Sequence, residues 1–408
     1  MEADTGSFLA VLGAAAAAPL LALLAQRPVR SLVVPVVVVE LLLGVVIGPH
    51  GLALADLDGV LEFLGQLGLG FLFFFAGYEI RFELIRGSPL RLAVVGWVAS
   101  VALAYSFAGV LAAAGVVISG LLTGSAMATT ALGTLIPVMR DAGTLSTRLG
   151  RFVLGAGAMG EFGPVLIVTL LLSTQSDTAM QALLLCAFVG IAVAAAALSS
   201  GAMGRHYQFL ERSLETSGQL MVRLTVLLLF ALVVIAADLG LDIILGAFAA
   251  GIIVQVSLRG REAERFESKL DAVGFGLLIP FFFVTSGMGL NLAALTESVG
   301  ALLELPLFLA LFFAVRGLPA LLLYRRELAA DERLSLALFS ATQLPLVVAI
   351  THIGVDQGHM RESTAAALVG AGVLSVLIFP AAALTLRRPA ARRDPVSIDA
   401  PRTKGAVS

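Results

Sequence analysis

Long apolar stretches, separated by short polar connectors that carry arginine, run from one end of this chain to the other. Each is about 17–25 residues long, the length an α-helix needs to cross the hydrocarbon core of a bilayer. The pattern predicts thirteen spans, at roughly 7–25, 32–48, 60–80, 91–115, 116–138, 152–173, 179–201, 220–237, 241–257, 272–290, 299–324, 333–353 and 363–386. Glycine and alanine are abundant within them, and small residues let helices approach closely in lipid. The expected fold is an all-α polytopic membrane protein.

Composition supports that class. The 408 residues are 59% hydrophobic, with a mean hydropathy of +1.00. Only 13% are charged, against about 25% in a soluble domain. The net charge of −2 comes with no basic block for nucleic acid and no Gly-rich phosphate loop. Cys186 is the single cysteine, so there is no disulfide framework and no Cys-based metal site. His50, His206, His352 and His359 are scattered and read as loop or helix-end residues. No cofactor and no resident metal are expected. The N-terminus MEADTGSFLA is acidic and lacks the basic region of a signal peptide, so it reads as an uncleaved first helix. Two lysines against twenty-four arginines suggest a GC-rich genome.

Charge placement orients the spans. With the N-terminus outside, all but two of the 26 basic residues fall on the inner side or in the tail. Arg361 alone falls outside, and Arg316 lies within a span. A wrong helix count would scramble this alternation. The C-terminus is therefore expected inside, and the Pro- and Arg-rich tail after 386 is expected to be disordered.

An internal repeat is visible. GFLFFFAGYEIRF (70–82, span three) resembles IPFFFVTSGMGLNL (279–292, span ten), and ELLLGVVIGP (40–49) weakly resembles DIILGAFAAGI (242–252). Both pairs lie seven spans apart. An odd offset makes the partners cross the membrane in opposite directions, as in inverted-topology transporter repeats.

Ionisable residues inside a bilayer are costly and are functional candidates by default. In LGAGAMGEFGPVLIVTLLL (154–172) the one charge is Glu161. It lies roughly 14 Å from the inner end of span six at 1.5 Å per residue. Arg316 in span eleven and Glu40 in span two are about as deep, and Glu79 is nearer the inner edge of span three, where it reads first as an interfacial charge. Pro164 cannot donate an amide hydrogen, so the carbonyl of Gly160 loses its helical partner. Gly160 and Gly163 are expected to leave the carboxylate unshielded, in an oxygen-lined hollow suited to a small cation or a proton. The structural alternative is a Glu–Arg pair that only holds two helices together.

Two spans are expected to be broken. GLLTGSAMATTALGTLIPVM carries Thr129 and Thr130, then Gly133 and Pro137; LALFSATQLPLVVAITHIG carries Gln343 before Pro345. They too lie seven spans apart. Paired discontinuous helices in inverted halves point to a transporter's binding site.

VELLLGVVIGPHGL, FLFFFAGYEI, TTALGTLIPVMRDAG, FFFVTSGMGLNL and RGLPALLLYR resemble, in order, the motifs of the monovalent cation:proton antiporters of the Kef-type and sodium/proton exchanger superfamily. The resemblance implies a dimerisation unit (1–86 and 206–292), a mobile core (87–175 and 293–386), a linker helix (176–205) and a tail (387–408). It implies two broken helices crossing beside the ion-binding carboxylate, here Glu161, and an elevator-like movement of the core. The family usually has two adjacent polar residues at this site; this chain departs from that pattern, with Gly160 in the first position and Glu161 in the second. Electrogenic members carry a lysine where this chain has Arg316. Arg316 is left to pair with Glu161, Glu79 or Glu40, or to offset the carbonyl ends of the broken helices. The nucleotide-binding regulatory module of full-length Kef-type systems is not seen after span thirteen.

The expected function is electroneutral, secondary active exchange of H⁺ for Na⁺ or K⁺ by a homodimer in a bacterial cytoplasmic membrane. Glu161 would be the shared carrier, with oxygens from the Gly160 region, Thr129, Thr130 and Gln343. The alternatives are a proton-coupled exporter of an organic solute, which a wide apolar site would favour, a channel, and a non-transporting membrane sensor.

Overall fold

The computed structural model describes residues 5–26, 34–79, 87–172, 190, 194, 219–239, 241, 243–257, 261–296 and 299–386. Among them there is no strand. The helices are α1 (Thr5–Gln26), α2 (Val36–Ile47), α3 (Gly59–Tyr78), α4 (Ser88–Ala113), α5 (Gly120–Met127), α6 (Leu132–Asp141), α7 (Arg148–Leu172) and α8 (Leu220–Asp238). They continue with α9 (Ile243–Ser257), α10 (Arg261–Val273), α11 (Ile279–Met288), α12 (Val299–Phe312), α13 (Leu318–Leu323), α14 (Ala330–Ser340), α15 (Pro345–Asp356) and α16 (Glu362–Thr385).

Nine of the described helical stretches are long and apolar enough to cross a membrane. Three shorter apolar stretches, Val36–Ile47, Gly120–Ile136 and Ile244–Ser257, fall where spans two, five and nine are expected. The linker 176–205 with span seven lies outside the described residues apart from 190 and 194, as does the tail 387–408. Helix starts follow local chemistry. Asp58 accepts from the backbone N–H groups of Val60 and Leu61 at 3.0 and 2.8 Å at the start of α3, and Ser119 accepts from Leu122 at 3.2 Å at the start of α5. Pro345 opens α15, where its missing N–H costs nothing.

The connector before span ten is itself helical. Charged helix formers fill α10, and Phe266 and Leu270, one turn apart, are buried beneath it. A π-helical turn at Gly274–Leu278 joins α10 to α11.

Helix pairing has the symmetry that the expected repeat would give. Span three (α3) packs on span nine (α9), and span two (α2) on span ten (α11). If spans two and three correspond to nine and ten, each of these contacts is the counterpart of the other. The α3–α9 contact is backbone to backbone: a Cβ on Gly77 would strike the carbonyl of Phe248, and one on Gly251 the carbonyl of Phe74. Span four packs on spans five and six, and span eleven packs on span thirteen and, through α13, on span twelve.

Spans five and twelve are both interrupted, at 128–131 and 341–344. The interruptions meet, since the N–H of Ala131 donates to the carbonyl of Thr342 at 2.8 Å. The break at Pro345 is where the sequence places it. The break in span five is not at Gly133 and Pro137, because α6 begins at Leu132 and runs through both. The helix pauses earlier, where consecutive N–H groups find partners outside the helical ladder.

Candidate functional site

Those partners come from α7 and from the break in span twelve. Pro164 leaves the carbonyl of Gly160 without a helical donor, and the N–H of Thr130 takes it at 3.0 Å. Ala131 donates across the crossing to Thr342. The next two N–H groups, of Leu132 and Gly133, donate to Oε1 of Glu161 at 2.8 and 3.3 Å. The lone carboxylate therefore caps the N-terminus of α6, where the helix dipole favours negative charge. Glu161 is 5% exposed, and its other oxygen, Oε2, is buried with no hydrogen-bond partner among the described residues. A carboxylate so desolvated is costly unless it holds a proton or a cation.

Glu161 lines a cavity of about 290 Å³ that Thr130, Gly133, Thr134 and Glu79 also line. Glu79 is the C-cap residue of α3, and a Cβ on Gly133 would sit 3.4 Å from its Oε2. The sequence favours an interfacial charge at Glu79, yet it lines the same cavity as Glu161. Glu40 is buried on α2 and does not line the cavity.

The groups that the sequence assigns to the ion are hydrogen-bonded within the crossing, mostly to backbone. The Thr129 hydroxyl lies 2.9 Å from the carbonyl of Ala126 and 3.2 Å from Oε1 of Gln343, while Nε2 of Gln343 donates to the carbonyl of Met127 at 2.9 Å. The Thr130 hydroxyl donates to the carbonyl of Ser340 at 2.6 Å. With the Gly160 carbonyl taken by Thr130, these groups satisfy the loose ends of α5 and α14 rather than forming an open shell. A buried crossing leaves helix-end carbonyls in need of donors, and nearby hydroxyls and amides supply them.

Arg316 sits in a π-helical turn, Phe313–Gly317, and is 4% exposed. Nε and Nη2 donate to the Thr130 hydroxyl at 3.0 and 2.8 Å, Nη2 also to the carbonyl of Ala156 at 2.9 Å, and Nη1 to the hydroxyl of Ser100 at 3.3 Å. Among the described residues it makes no ion pair with Glu161, Glu79 or Glu40. Of the roles open to it from sequence, the geometry matches the offset of the carbonyl ends, reached through Thr130.

The glycines beside Glu161 do not open a hollow. A Cβ on Gly160 would lie 2.6 Å from Nη2 of Arg316 and 2.6 Å from Cβ of Thr130, and one on Gly163 would strike the ring of Trp97. Their missing side chains make room for Arg316 and Trp97. Gly160→Ala is therefore expected to destabilise by about 1–3 kcal/mol through overpacking, read as a lower thermal midpoint in detergent. An unchanged midpoint would show that Arg316 can move aside.

Sequence reasoning missed Glu304. It is buried on α12, close to Thr364 and Arg361. The signal was present as the single charge in VGALLELPLFLALF.

A family model described as the transmembrane sodium/hydrogen exchanger matches residues 15–384. The chain is 26% identical over 370 residues to YjbQ of Bacillus subtilis, covering 86% of this chain and 58% of that one. It is 24% identical over 353 residues to the Na(+)/H(+)-K(+) antiporter GerN of Bacillus cereus, covering 85% and 88%. It spans about half the length of several relatives it matches. The fold is similar to that of the sodium proton antiporter MjNhaP1 from Methanocaldococcus jannaschii, with a TM-score of 0.59 and 16% identity over 93% of this chain and 96% of that one.

Proposed function

The chain belongs to the transmembrane sodium/hydrogen exchanger family, and we propose that it is an antiporter exchanging protons for Na⁺ or K⁺, with Glu161 as the shared carrier. The observation that carries this reading is the divided carboxylate. Oε1 is committed to the N-terminus of α6, and Oε2 is buried without a partner. One oxygen fixes the side chain, and the other is left for either a proton or a cation. Because both compete for one group, the site travels loaded with one or the other, and exchange follows. Glu79 across the cavity adds negative charge on the cation's route.

In this reading the dimerisation unit (1–86 and 206–292) is static. The core (87–175 and 293–386) carries Glu161 past it in an elevator-like movement, with 176–205 as the link. The assembly is a homodimer in a bacterial cytoplasmic membrane, N-terminus outside. Proteoliposomes holding a pH-sensitive dye, tested with Na⁺, K⁺, Li⁺ and Rb⁺, decide it. Proton movement driven by Na⁺ or K⁺ is expected. Cation flux without proton movement would mean a channel, and no response to any ion would remove the antiport reading.

Exchange is further expected to be electroneutral. Gly160 cannot titrate, and Arg316 keeps its charge. Glu40 and Glu79 lie on the unit proposed to be static, and Glu304 sits in the outer part of span eleven beside Arg361. One exchangeable group at the moving site gives one proton for one cation. A net charge per turnover would feel about 2.3 kcal/mol per 100 mV. The Na⁺/H⁺ end point should therefore stay fixed when a valinomycin-clamped K⁺ potential is imposed. A shift with potential would show a second titrating group.

A further inference from the structure

Two more cavities flank the one beside Glu161, one toward each face of the membrane. The inner one measures about 880 Å³, shares Glu79 with the middle cavity and is lined by Arg140, Arg151, Glu267 and Asp271, at or beside connectors expected inside. The outer one measures about 400 Å³ and is lined by Glu62, Asn291, His352, Asp356 and Glu362, at span ends expected outside. Of the three, only the middle one is lined by Glu161. Four helices wall both the middle and the outer cavity, and each passes from one to the other within roughly one helical turn of 5.4 Å. The lining changes between Val37 and Leu41 on α2, and between Leu72 and Leu69 on α3. It changes between Phe283 and Phe282 on α11, and between Leu346 and Val348 on α15. All of these side chains are apolar, so a thin apolar septum divides the two cavities. A constriction of that kind holds back water and ions by dewetting.

We infer that the outer cavity is the outlet of the transport route, and that the septum of Leu41, Leu69, Phe282 and Val348 is its closed gate. The inference rests on the reading of Glu161 as the carrier and supplies the outer half of its path. Leu41, Leu69 and Phe282 stand on the unit proposed to be static, and Val348 on the core, so the gate is a seam between the two. Sliding of the core opens such a seam without unfolding a helix. At the outer cavity Nδ2 of Asn291 donates to Oε2 of Glu362 at 2.9 Å, joining the same two units.

The gate is read with the carrier disabled. In Glu161→Gln proteoliposomes holding a pH-sensitive dye, with a valinomycin-clamped K⁺ potential and no Na⁺, proton movement should be slight. Adding Phe282→Ala, which takes the ring out of the septum, should raise it at least about tenfold, because a water path replaces a dry one. Phe281→Ala is the control: Phe281 stacks on Phe8 of α1, lines neither cavity and should add no leak. Val348→Ala takes the place of Phe282→Ala if the latter lowers the thermal midpoint in detergent. The outlet is read with the carrier intact. Ser286 lines the outer cavity. In a Cys186→Ser chain, Ser286→Cys should react with a membrane-impermeant methanethiosulfonate applied from outside; Na⁺ exchange should stop, and a reductant should restore it. No added leak from a folded septum variant, or exchange indifferent to the reagent at Ser286→Cys, overturns the inference and leaves antiport standing. If the unaltered protein exchanges no alkali ion, the antiport reading falls instead, and the leak then decides the septum.

Discussion

Glu161→Gln is expected to reduce cation-dependent proton movement by more than about a hundredfold, the scale of a lost charged partner worth ~3 kcal/mol, and to leave the protein folded. The two halves of that statement come from the two oxygens. Glutamine keeps an acceptor where Oε1 now receives the N–H groups of Leu132 and Gly133, so α6 stays capped. What it loses is the charge. The helix dipole gives back about 0.3–1 kcal/mol of stabilisation, and the relief of burying a neutral amide in place of a carboxylate opposes that loss. The thermal midpoint in detergent should therefore hardly move while transport in proteoliposomes disappears. Glu161→Asp is the companion test. Its carboxylate is one methylene shorter and cannot keep both the α6 cap and the same free oxygen, so activity should be partial with a changed apparent affinity. Full exchange in the Gln variant would take Glu161 out of the mechanism.

Much of this was legible before any coordinates, for reasons that differ from feature to feature. Lipid demands long apolar stretches, so spans could be placed from hydropathy; the twelve described stretches fall where they were expected. Glu161 stood out because a charge in that setting is rare. Pro345 marked its break because a proline favours the first position of a helix. Pro137 misled, because the break in span five is held by hydrogen bonds from residues far away in sequence: the Gly160 carbonyl, the Thr342 carbonyl and the Glu161 carboxylate. A proline is visible in one dimension and a captured N–H is not. The same limit hid the neighbour of Arg316. Spacing along a chain does not say which helices cross, and the guanidinium turned out to face Thr130, a residue first read as an ion ligand. Gly160 and Gly163 carried the clue in a form that could be read two ways, as an opening for an ion or as room for a neighbour. Only the positions of Arg316 and Trp97 decide between them.

Arg316→Ala should cost about 2–4 kcal/mol, and the size follows from what the guanidinium does and does not touch. No carboxylate loses a partner, so the largest penalty known for broken buried pairs does not apply. The Thr130 hydroxyl, the Ser100 hydroxyl and the Ala156 carbonyl do lose a charged donor. Each unsatisfied buried group costs roughly 1–3 kcal/mol, and removal of an unpaired buried charge offsets part of the sum. Arg316→Lys keeps a charge but not the planar fork that reaches Thr130 and Ala156 together, so it should fall between the two. The geometry also predicts a coupling. Because a side chain at position 160 would enter the space of Nη2 and press on Thr130, Gly160→Asn should be destabilising in the wild-type background and less so beside Arg316→Ala, which clears the first contact though not the second and leaves acceptors to which the amide can donate. A double-mutant cycle on thermal midpoints in detergent should give an interaction of at least about 1 kcal/mol in the favourable direction. Simple additivity of the two changes would mean that Arg316 and position 160 do not share that space, and the argument for a guanidinium built into the helix crossing would have to be withdrawn.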